Sequence, residues 1–476
     1  MKHMDKENGL GRVLLVAPAG DLTHILTPDL GIGYVAAALR EAGYTVDFID
    51  IKRDKVKPEE LARRVKEKNY IMAGVKAFSP FLPEINEVIK TIKASSPDIK
   101  VVLGGPHPTY AREYALKSCH EADAGIIGEG EKPIVALAKA FCNGNDTSSI
   151  ESIIYRNSDN EVKTNPPGSG FQDLEALPLP AWDLMDPRLY RSYENFWYFS
   201  KGKTTANISI SRGCPFSCTF CSDFMNYGKS VRYRSLDRTI EEITMLKNDY
   251  GVDELHITDS IFTVNKKFVH RFCDTLVQKN LKMHWATIDG VRLDTLDSEL
   301  LAAMEGAGCY GTSVGIESGS PRVLDFMKKG ITKEKIEEKL NLIKETTDFL
   351  VQGLFIIGYP TETRESIEET IEFAARLPLH MAVFSPFRLT PGTEVAKYVE
   401  DNEPESTPDW SGQTMERIKY IPKGLTREEL QKFHKKAYRT FYLRPHIAWQ
   451  YLKMIKGPKQ LRILTTKLKN RLIRSR

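Results

Sequence analysis

Short apolar runs alternate with amphipathic stretches along most of the chain, the pattern of strands separated by helices. Arg12-Val-Leu-Leu-Val-Ala17 is the first such run, and Gly31 to Ala42 then sets Ile32, Val35, Ala36 and Leu39 on one helical face. Thr45-Val-Asp-Phe-Ile-Asp50 reads as the next strand, with others at Ile71–Val75, Lys100–Gly104 and Ala124–Ile127. Alternation of this kind over residues 12–145 predicts an open parallel sheet covered by helices. The pattern lapses over 146–203, where Asn165-Pro-Pro-Gly-Ser-Gly170 and Leu177-Pro-Leu-Pro-Ala-Trp182 predict a linker. It resumes with strands at Thr204–Ser211, Glu254–Thr258, Met283–Thr287, Gly311–Gly315, Val351–Ile357 and Met381–Phe384, and helices such as Thr239–Tyr250 and Glu365–Arg376. Six units over 204–400 predict a partial βα barrel, whose reactive groups collect at the carboxyl ends of the strands. A helical region, 401–476, follows.

Composition supports this α/β picture and adds a location. The 476 residues exceed one ordinary core, and 41% hydrophobic with 27% charged residues is a globular balance. No uncharged apolar run reaches the roughly 18 residues of a membrane span, and Met1-Lys-His-Met-Asp-Lys-Glu lacks a signal peptide's apolar core, so a cytoplasmic protein is expected. Seven cysteines without framework spacing suit a reducing compartment. The net charge of +4 is unevenly spread: after Glu429 there are fourteen Lys or Arg and no Asp or Glu. Leu430 to Arg476 predicts two helices broken at Arg444-Pro445 and Gly457-Pro458, the last with Leu461, Leu464, Leu468 and Leu472 on one face among basic residues. A basic amphipathic helix suits the inner, anionic surface of a membrane or delivery of an apolar substrate. Packing against the barrel is the alternative; nucleic acid is disfavoured, because phosphate contacts need no leucine stripe.

The chemistry concentrates in Arg212-Gly213-Cys214-Pro215-Phe216-Ser217-Cys218-Thr219-Phe220-Cys221. The spacing Cys-x3-Cys-x2-Cys suits a loop around one [4Fe-4S] cube and leaves one iron without a protein ligand. Zinc also accepts thiolates, but closed zinc sites take four ligands in paired arrangements, and no second pair or nearby His follows Cys221. Cys119, Cys142, Cys273 and Cys309 are scattered and read as small buried hydrophobes. This triad, with aromatic Phe220 before its last Cys and a predicted strand before its first, resembles the radical S-adenosylmethionine (SAM) superfamily. The resemblance implies that Cys214, Cys218 and Cys221 hold the cluster, that SAM chelates the open iron, and that an electron cleaves SAM to a 5′-deoxyadenosyl radical. An external donor such as flavodoxin or ferredoxin would supply that electron.

Three loops at strand ends are glycine-rich: Thr27-Pro-Asp-Leu-Gly-Ile-Gly33, Gly104-Gly-Pro-His-Pro-Thr109 and Gly128-Glu-Gly-Glu131. Ligands of doubly wound sheets of Rossmann or flavodoxin type sit at such ends, and glycine admits a bulky ligand. No G-x-G-x-x-G follows the first strand, which argues against a nicotinamide cofactor. Placed before the cysteine motif, the loops resemble the cobalamin-binding domain of the B12-dependent radical SAM subgroup, over residues 12 to about 400. That resemblance implies cobalamin contacts at Thr27, Pro28, Gly31, Gly104, Gly105, His107, Gly128 and Glu129. Cobalamin proteins with a histidine lower ligand carry Asp-x-His-x-x-Gly, whereas this chain has Asp21-Leu-Thr-His24, so His24 is read as a loop residue and cobalt as lacking a protein histidine.

At the barrel strand ends stand Asp259-Ser260, Arg292, Gly315-Ile-Glu-Ser-Gly319 and Gly353-Leu-Phe-Ile-Ile-Gly-Tyr-Pro360. A carboxylate such as Glu317 can accept from the SAM ammonium or ribose, and a glycine such as Gly358 lets backbone reach adenine. The family pattern places SAM contacts at Phe220, Asp259, Glu317 and Gly358. The expected activity, by that resemblance, is cobalamin-dependent methylation of an unactivated carbon of a lipid-like or other apolar substrate. Two other readings are carried: oxidative cyclisation, as in the anaerobic magnesium-protoporphyrin monomethyl ester cyclase group, and a non-catalytic electron carrier or cobalamin-binding module. An RNA methylthiotransferase is disfavoured, since Cys119 and Cys142 cannot supply the three further cluster ligands that group carries.

Overall fold

The first apolar run forms β1 (Arg12–Ala17), and its side chains alternate between two cores: Leu14 and Val16 on one face of the sheet, Val13 and Leu15 on the other. Burial on both faces is what an uninterrupted apolar strand requires, and it fixes helices on either side. The structure is a computed structural model that describes residues 10–20, 26–168, 172–190, 200–406, 418–447 and 449.

The first sheet adds β2 (Thr45–Asp50), β3 (Tyr70–Lys76), β4 (Lys100–Gly104), β5 (Ala124–Ile126), β6 (Ile153–Arg156) and β7 (Val162–Thr164), in the order β2-β1-β3-β4-β5-β6-β7. Strands β1 to β5 pair in parallel in the flavodoxin order, which reverses between β1 and β3 and opens a crevice at their carboxyl ends. The stretch expected as a linker is more ordered than its turns suggested. Its β6 and β7 pair antiparallel with the sheet edge, and Ile153 and Ile154 are fully buried there.

The second sheet holds β8 (Thr205–Ile208), β11 (Glu254–Ile257), β12 (His284–Val291), β13 (Cys309–Glu317), β14 (Leu350–Ile357) and β15 (Met381–Pro386), all parallel and in sequence order. This is the six-stranded partial barrel that the alternation predicts. The strand expected over Thr204–Ser211 is interrupted. After β8 the backbone turns its Ile210 and Ser211 N–H groups to the Asp259 carboxylate, at 2.7 and 2.9 Å, and restarts as β9 (Ser211–Arg212), paired antiparallel with β10 (Arg232–Tyr233).

The helix Arg427–Tyr442 packs on the outer barrel strand: the Tyr442 hydroxyl donates to the Ala382 carbonyl at 2.8 Å, and His434 Nε2 lies 2.7 Å from the Phe384 carbonyl. The first part of the basic region therefore covers a sheet edge. The leucine-striped helix expected around Leu461–Leu472, and Asp21–His24, lie outside the described residues.

Candidate functional site

An open cavity of about 280 Å³ lies at the carboxyl ends of the first sheet, where the strand order reverses. Asp29, Gly31 and Ile32 come from the first glycine loop, Gly104 and Gly105 from the second, and Gly128 to Glu131 from the third. Asp29 caps the helix Leu30–Glu41, accepting from the Ile32 N–H at 3.2 Å, and pairs with Lys76 of β3. Gly31, Gly104, Gly105, Gly128 and Glu129 line the cavity as their loops suggested. Thr27, Pro28 and His107 do not. The His107 ring is fully buried between the hydroxyls of Ser79 and Ser118, at 2.9 and 3.0 Å, and burial pushes its pKa down to about 4. A neutral imidazole with both nitrogens engaged holds the loop in place.

The glycines test what could fill the space. A Cβ on Gly104 would meet nothing within 4 Å, so no protein neighbour requires a glycine there. A large ligand pressed against the backbone would favour one.

Three residues of the second half complete this wall: Arg212, Asn226 and Tyr227. Arg212 immediately precedes the cysteine motif, and its guanidinium donates to Glu129 at 3.0 Å and to Glu131 at 2.7 Å, all three side chains being nearly inaccessible. Arg232 adds two bonds to Glu129, whose second oxygen also accepts from the Gln172 N–H. The Arg212 plane lies over Tyr34 and Tyr227, 4.9 and 5.6 Å from their ring centres. Glu129 borders the cavity as expected, but its carboxylate is spent on arginines. It works as a strut joining the third glycine loop to the cysteine loop.

The cysteine loop is held by its non-cysteine residues. Gly213 has φ +102°, and a Cβ there would sit 2.2 Å from the Ser230 carbonyl oxygen, so only glycine fits the entry to Cys214. Buried Thr219 donates from its hydroxyl to the Phe326 carbonyl at 3.2 Å and shares a 2.6 Å hydrogen bond with the Tyr359 hydroxyl. Its N–H donates to the Met327 carbonyl at 3.0 Å, and its carbonyl accepts from Val395 N–H at 3.0 Å. Phe220 stands edge-on to Tyr359, and the Arg292 guanidinium stacks 3.7 Å above Phe216.

Cys214, Cys218 and Cys221 are free and partly accessible. Burial raises all three thiol pKa values, Cys221 to about 12, with Lys329 and Arg292 opposing the rise at Cys218. The loop alone does not ionise these thiols, so metal must do so on binding. Among the described residues no three His, Cys, Asp or Glu side chains are grouped as ligands of a single ion. Three thiols on one short loop, in the spacing Cys-x3-Cys-x2-Cys, are the donor set of a [4Fe-4S] cube.

The other expected SAM contacts divide. Glu317 ends β13 in a left-handed conformation, φ +67°, where the register shifts against β14, and its carboxylate accepts from Lys329 Nζ at 2.8 Å. Backbone strain of this kind in a polar residue is of a sort that collects at functional sites. Asp259 differs: both oxygens are consumed by Ile210, Ser211 and the Ser211 hydroxyl, so it anchors the strand leading to the cysteines. Burial pushes its pKa up to about 7. Gly358 adopts φ +86°, a Cβ there would come within about 3.5 Å of Leu430, and its N–H donates to Glu362, which assigns it to the turn after β14. Sequence reasoning missed Arg212, Thr219, Lys329 and Asp289. Asp289, near the end of β12, has its pKa pushed up to about 6 by burial, with the charge of Asp223 adding to the rise.

Residues 21–138 match the B12 binding domain family and residues 208–374 the Radical SAM superfamily. An uncharacterized methyltransferase, PH0819, of Pyrococcus horikoshii is 32% identical over 443 residues, covering 92% of this chain and 93% of that protein. The anaerobic magnesium-protoporphyrin IX monomethyl ester cyclase of Cereibacter sphaeroides is 28% identical, over 89% of this chain and 69% of its own. Among solved structures, the radical SAM methyltransferase TsrM of Kitasatospora setae with cobalamin and [4Fe-4S] cluster bound superposes with a TM-score of 0.68 at 21% identity, over 82% of this chain and 74% of that one. The cobalamin-dependent SAM radical enzyme OxsB, with aqua-cobalamin and SAM bound, gives 0.70 at 16% identity, over 98% and 72%. The glycine-lined cavity, the three-cysteine loop beside it and relatives matched over nearly the full length agree: this chain is an enzyme of the cobalamin-binding radical SAM family.

Proposed function

We propose that this protein is a C-methyltransferase acting on an unactivated carbon of a lipid-like or other small molecule. One observation carries the reading: the cavity suited to cobalamin and the loop suited to the cluster share a wall, Arg212, Asn226 and Tyr227, taken from the segment that holds the cysteines. Cys214, Cys218 and Cys221 would hold the cluster, Gly31, Gly104, Gly105 and Gly128 would admit the corrin, and Glu317 with Lys329 would meet SAM beside Phe220. Bound together, these groups supply a methyl carrier and a 5′-deoxyadenosyl radical. The chain's own residues fix the distance between them through the Arg212 strut.

The partly accessible cysteines are consistent with reduction by an external flavodoxin or ferredoxin. No helix among the described residues is long and apolar enough to cross a membrane. Leu443 is nevertheless 68% exposed next to Lys432, Lys435, Lys436 and Arg439. An exposed apolar side chain beside a cationic face supports peripheral contact with an anionic inner membrane surface, from which a lipid-like substrate would enter.

Cyclisation is the second reading, favoured by likeness to the Cereibacter enzyme along most of this chain. Incubation of reconstituted enzyme with trideuteromethyl-SAM and a host-cell extract separates the two. The proposal expects a product carrying the intact deuterated methyl group; a product that has lost hydrogen and carries no label would select cyclisation.

Gly104→Phe tests the cofactor assignment. Gly104 has no positive φ and no neighbour for its Cβ, so the variant should melt like wild type. A benzyl group in the cradle should weaken cobalamin binding by about tenfold or more, since about 1.4 kcal/mol of clash suffices. Absorbance of cobalamin retained after gel filtration reads this; full retention would place cobalamin elsewhere.

A further inference from the structure

The cysteine loop carries two aromatic rings, Phe216 and Phe220, one on each side of Cys218, and a cation stands over each. Arg292, the first residue after β12, places its guanidinium 3.7 Å from the centre of the Phe216 ring, and Phe216 is midway in sequence between Cys214 and Cys218. Its Nη1 donates to the Lys329 carbonyl at 2.9 Å, and a Cβ on Gly330, which has φ +65°, would come within 3.8 Å of its Nη2. The Lys329 ammonium in turn lies 5.9 Å from the Phe220 ring centre. The Phe216 ring and the turn at Lys329 and Gly330 therefore hold the guanidinium from two sides.

The charges around the loop do not cancel equally. The Lys329 ammonium is neutralised by Glu317 at 2.8 Å, and the two side chains are about equally buried. Lys229 reaches the Ser217 hydroxyl at 2.9 Å from the exposed side, where water and salt screen it. Arg292 has a bidentate partner in Asp294, at 3.0 and 2.9 Å, but that pair is lopsided: the arginine side chain is 12% exposed and the carboxylate 34%. The more hydrated partner is screened more, so the guanidinium face on Phe216 leaves a positive field over the loop. At Cys214 the charge of Asp223 acts the other way, while Arg292 favours the thiolates of both Cys214 and Cys218. An arginine keeps its charge throughout the working pH range.

When a three-thiolate [4Fe-4S] cube accepts one electron from a low-potential donor, it gains one negative charge and no bond forms or breaks. A fixed cation beside it stabilises the reduced form more than the oxidised one. We propose that Arg292 is a positioning residue that, held against Phe216, raises the potential at which the cluster takes its electron and so eases reduction by the external donor. This role rests on the assignment of Cys214, Cys218 and Cys221 to the cluster, and it holds whatever the product of the reaction.

In the test, the full chain reconstituted with cluster and cobalamin is poised at graded potentials, and the EPR signal of the reduced cluster gives its reduced-to-oxidised ratio. Arg292→Gln keeps a donor for the Lys329 carbonyl and loses the charge. At a fixed potential its ratio should fall about tenfold, which is a midpoint about 59 mV lower. Arg292→Lys should fall less. Asp294→Asn removes the offsetting carboxylate and should raise the ratio, because Phe216 and Lys329 still hold the arginine. Opposite shifts from the two partners of one ion pair are the signature of a field; a merely structural role would move both the same way or neither. Equal midpoints in wild type and all variants, or shifts of one sign in Arg292→Gln and Asp294→Asn, overturn the proposal. So does a loss of SAM binding with an unchanged midpoint, which would make Arg292 an anchor of the SAM carboxylate. If Arg292→Gln does not load iron, the Asp294→Asn shift decides: upward supports the role, and none or downward overturns it. Wild type that loads no iron would remove the cluster assignment itself, and methyl transfer enters neither readout, so the failures are told apart.

Discussion

Replacing Cys214, Cys218 and Cys221 together by alanine should abolish iron and sulfide loading and reduce 5′-deoxyadenosine release from SAM to background, while cobalamin binding survives. The loop does not depend on its thiols for shape. Thr219 pins it to Phe326, Met327, Tyr359 and Val395, and Gly213 sets its entry, so the triple variant should keep the loop and lose only the donors. The cavity of the first domain takes only Arg212, Asn226 and Tyr227 from this part of the chain, and none of the three cysteines. Iron and acid-labile sulfide analysis, the cluster's visible absorbance and product chromatography measure the loss. Persistent 5′-deoxyadenosine from the triple variant would remove the cluster assignment.

The second large effect is expected at Arg212. Arg212→Met removes the partner of two carboxylates with almost no access to water. Glu129 keeps Arg232, but Glu131 keeps only the Gln172 amide, at 2.9 Å. Breaking a buried pair on one side costs about 3–5 kcal/mol because the remaining charge is stranded. For a domain of this size that is a fall of about 10 °C in melting temperature. Adding Glu131→Gln to Arg212→Met should recover part of it, since the stranded charge is gone. The effect also has a pH signature. Burial favours the neutral form of Glu129, but the hydrogen bond from Arg232 and the charge of Arg212 outweigh it and hold its pKa below the usual 4.5. A depressed carboxyl contributes stability above that value and loses it as pH falls through the folded pKa. Wild type should therefore destabilise as the pH drops below about 4.5, and Arg212→Met should show a shallower acid dependence. Calorimetry across pH 3 to 7 checks both. A variant that melts and titrates like wild type would mean that the strut does not hold the domains together.

Strand and helix alternation was legible because parallel strands are short apolar runs, and β1, β2 and β4 begin and end where those runs do. The strands β6 and β7 were not: four and three residues at a sheet edge give too little periodicity to outweigh nearby Pro and Gly. The cysteine triad was legible because its chemistry is local in sequence. Partnerships across the chain were not. The Glu317 and Lys329 pair spans 12 residues, while the Arg212 and Glu129 pair spans 83. His107 and Asp259 were picked as polar residues near strand ends, which is correct, but which way they point depends on Ser79, Ser118, Ile210 and Ser211.

The adjacency of the two cofactor regions is tested most directly by the fate of SAM in the reconstituted enzyme under a strong reductant. If cobalamin and cluster share the Arg212 wall, loaded protein should convert SAM to both S-adenosylhomocysteine and 5′-deoxyadenosine. The first product should require loaded cobalamin, and the second should require the three cysteines. Formation of 5′-deoxyadenosine alone, at the same rate with and without cobalamin, would contradict the methyltransferase account.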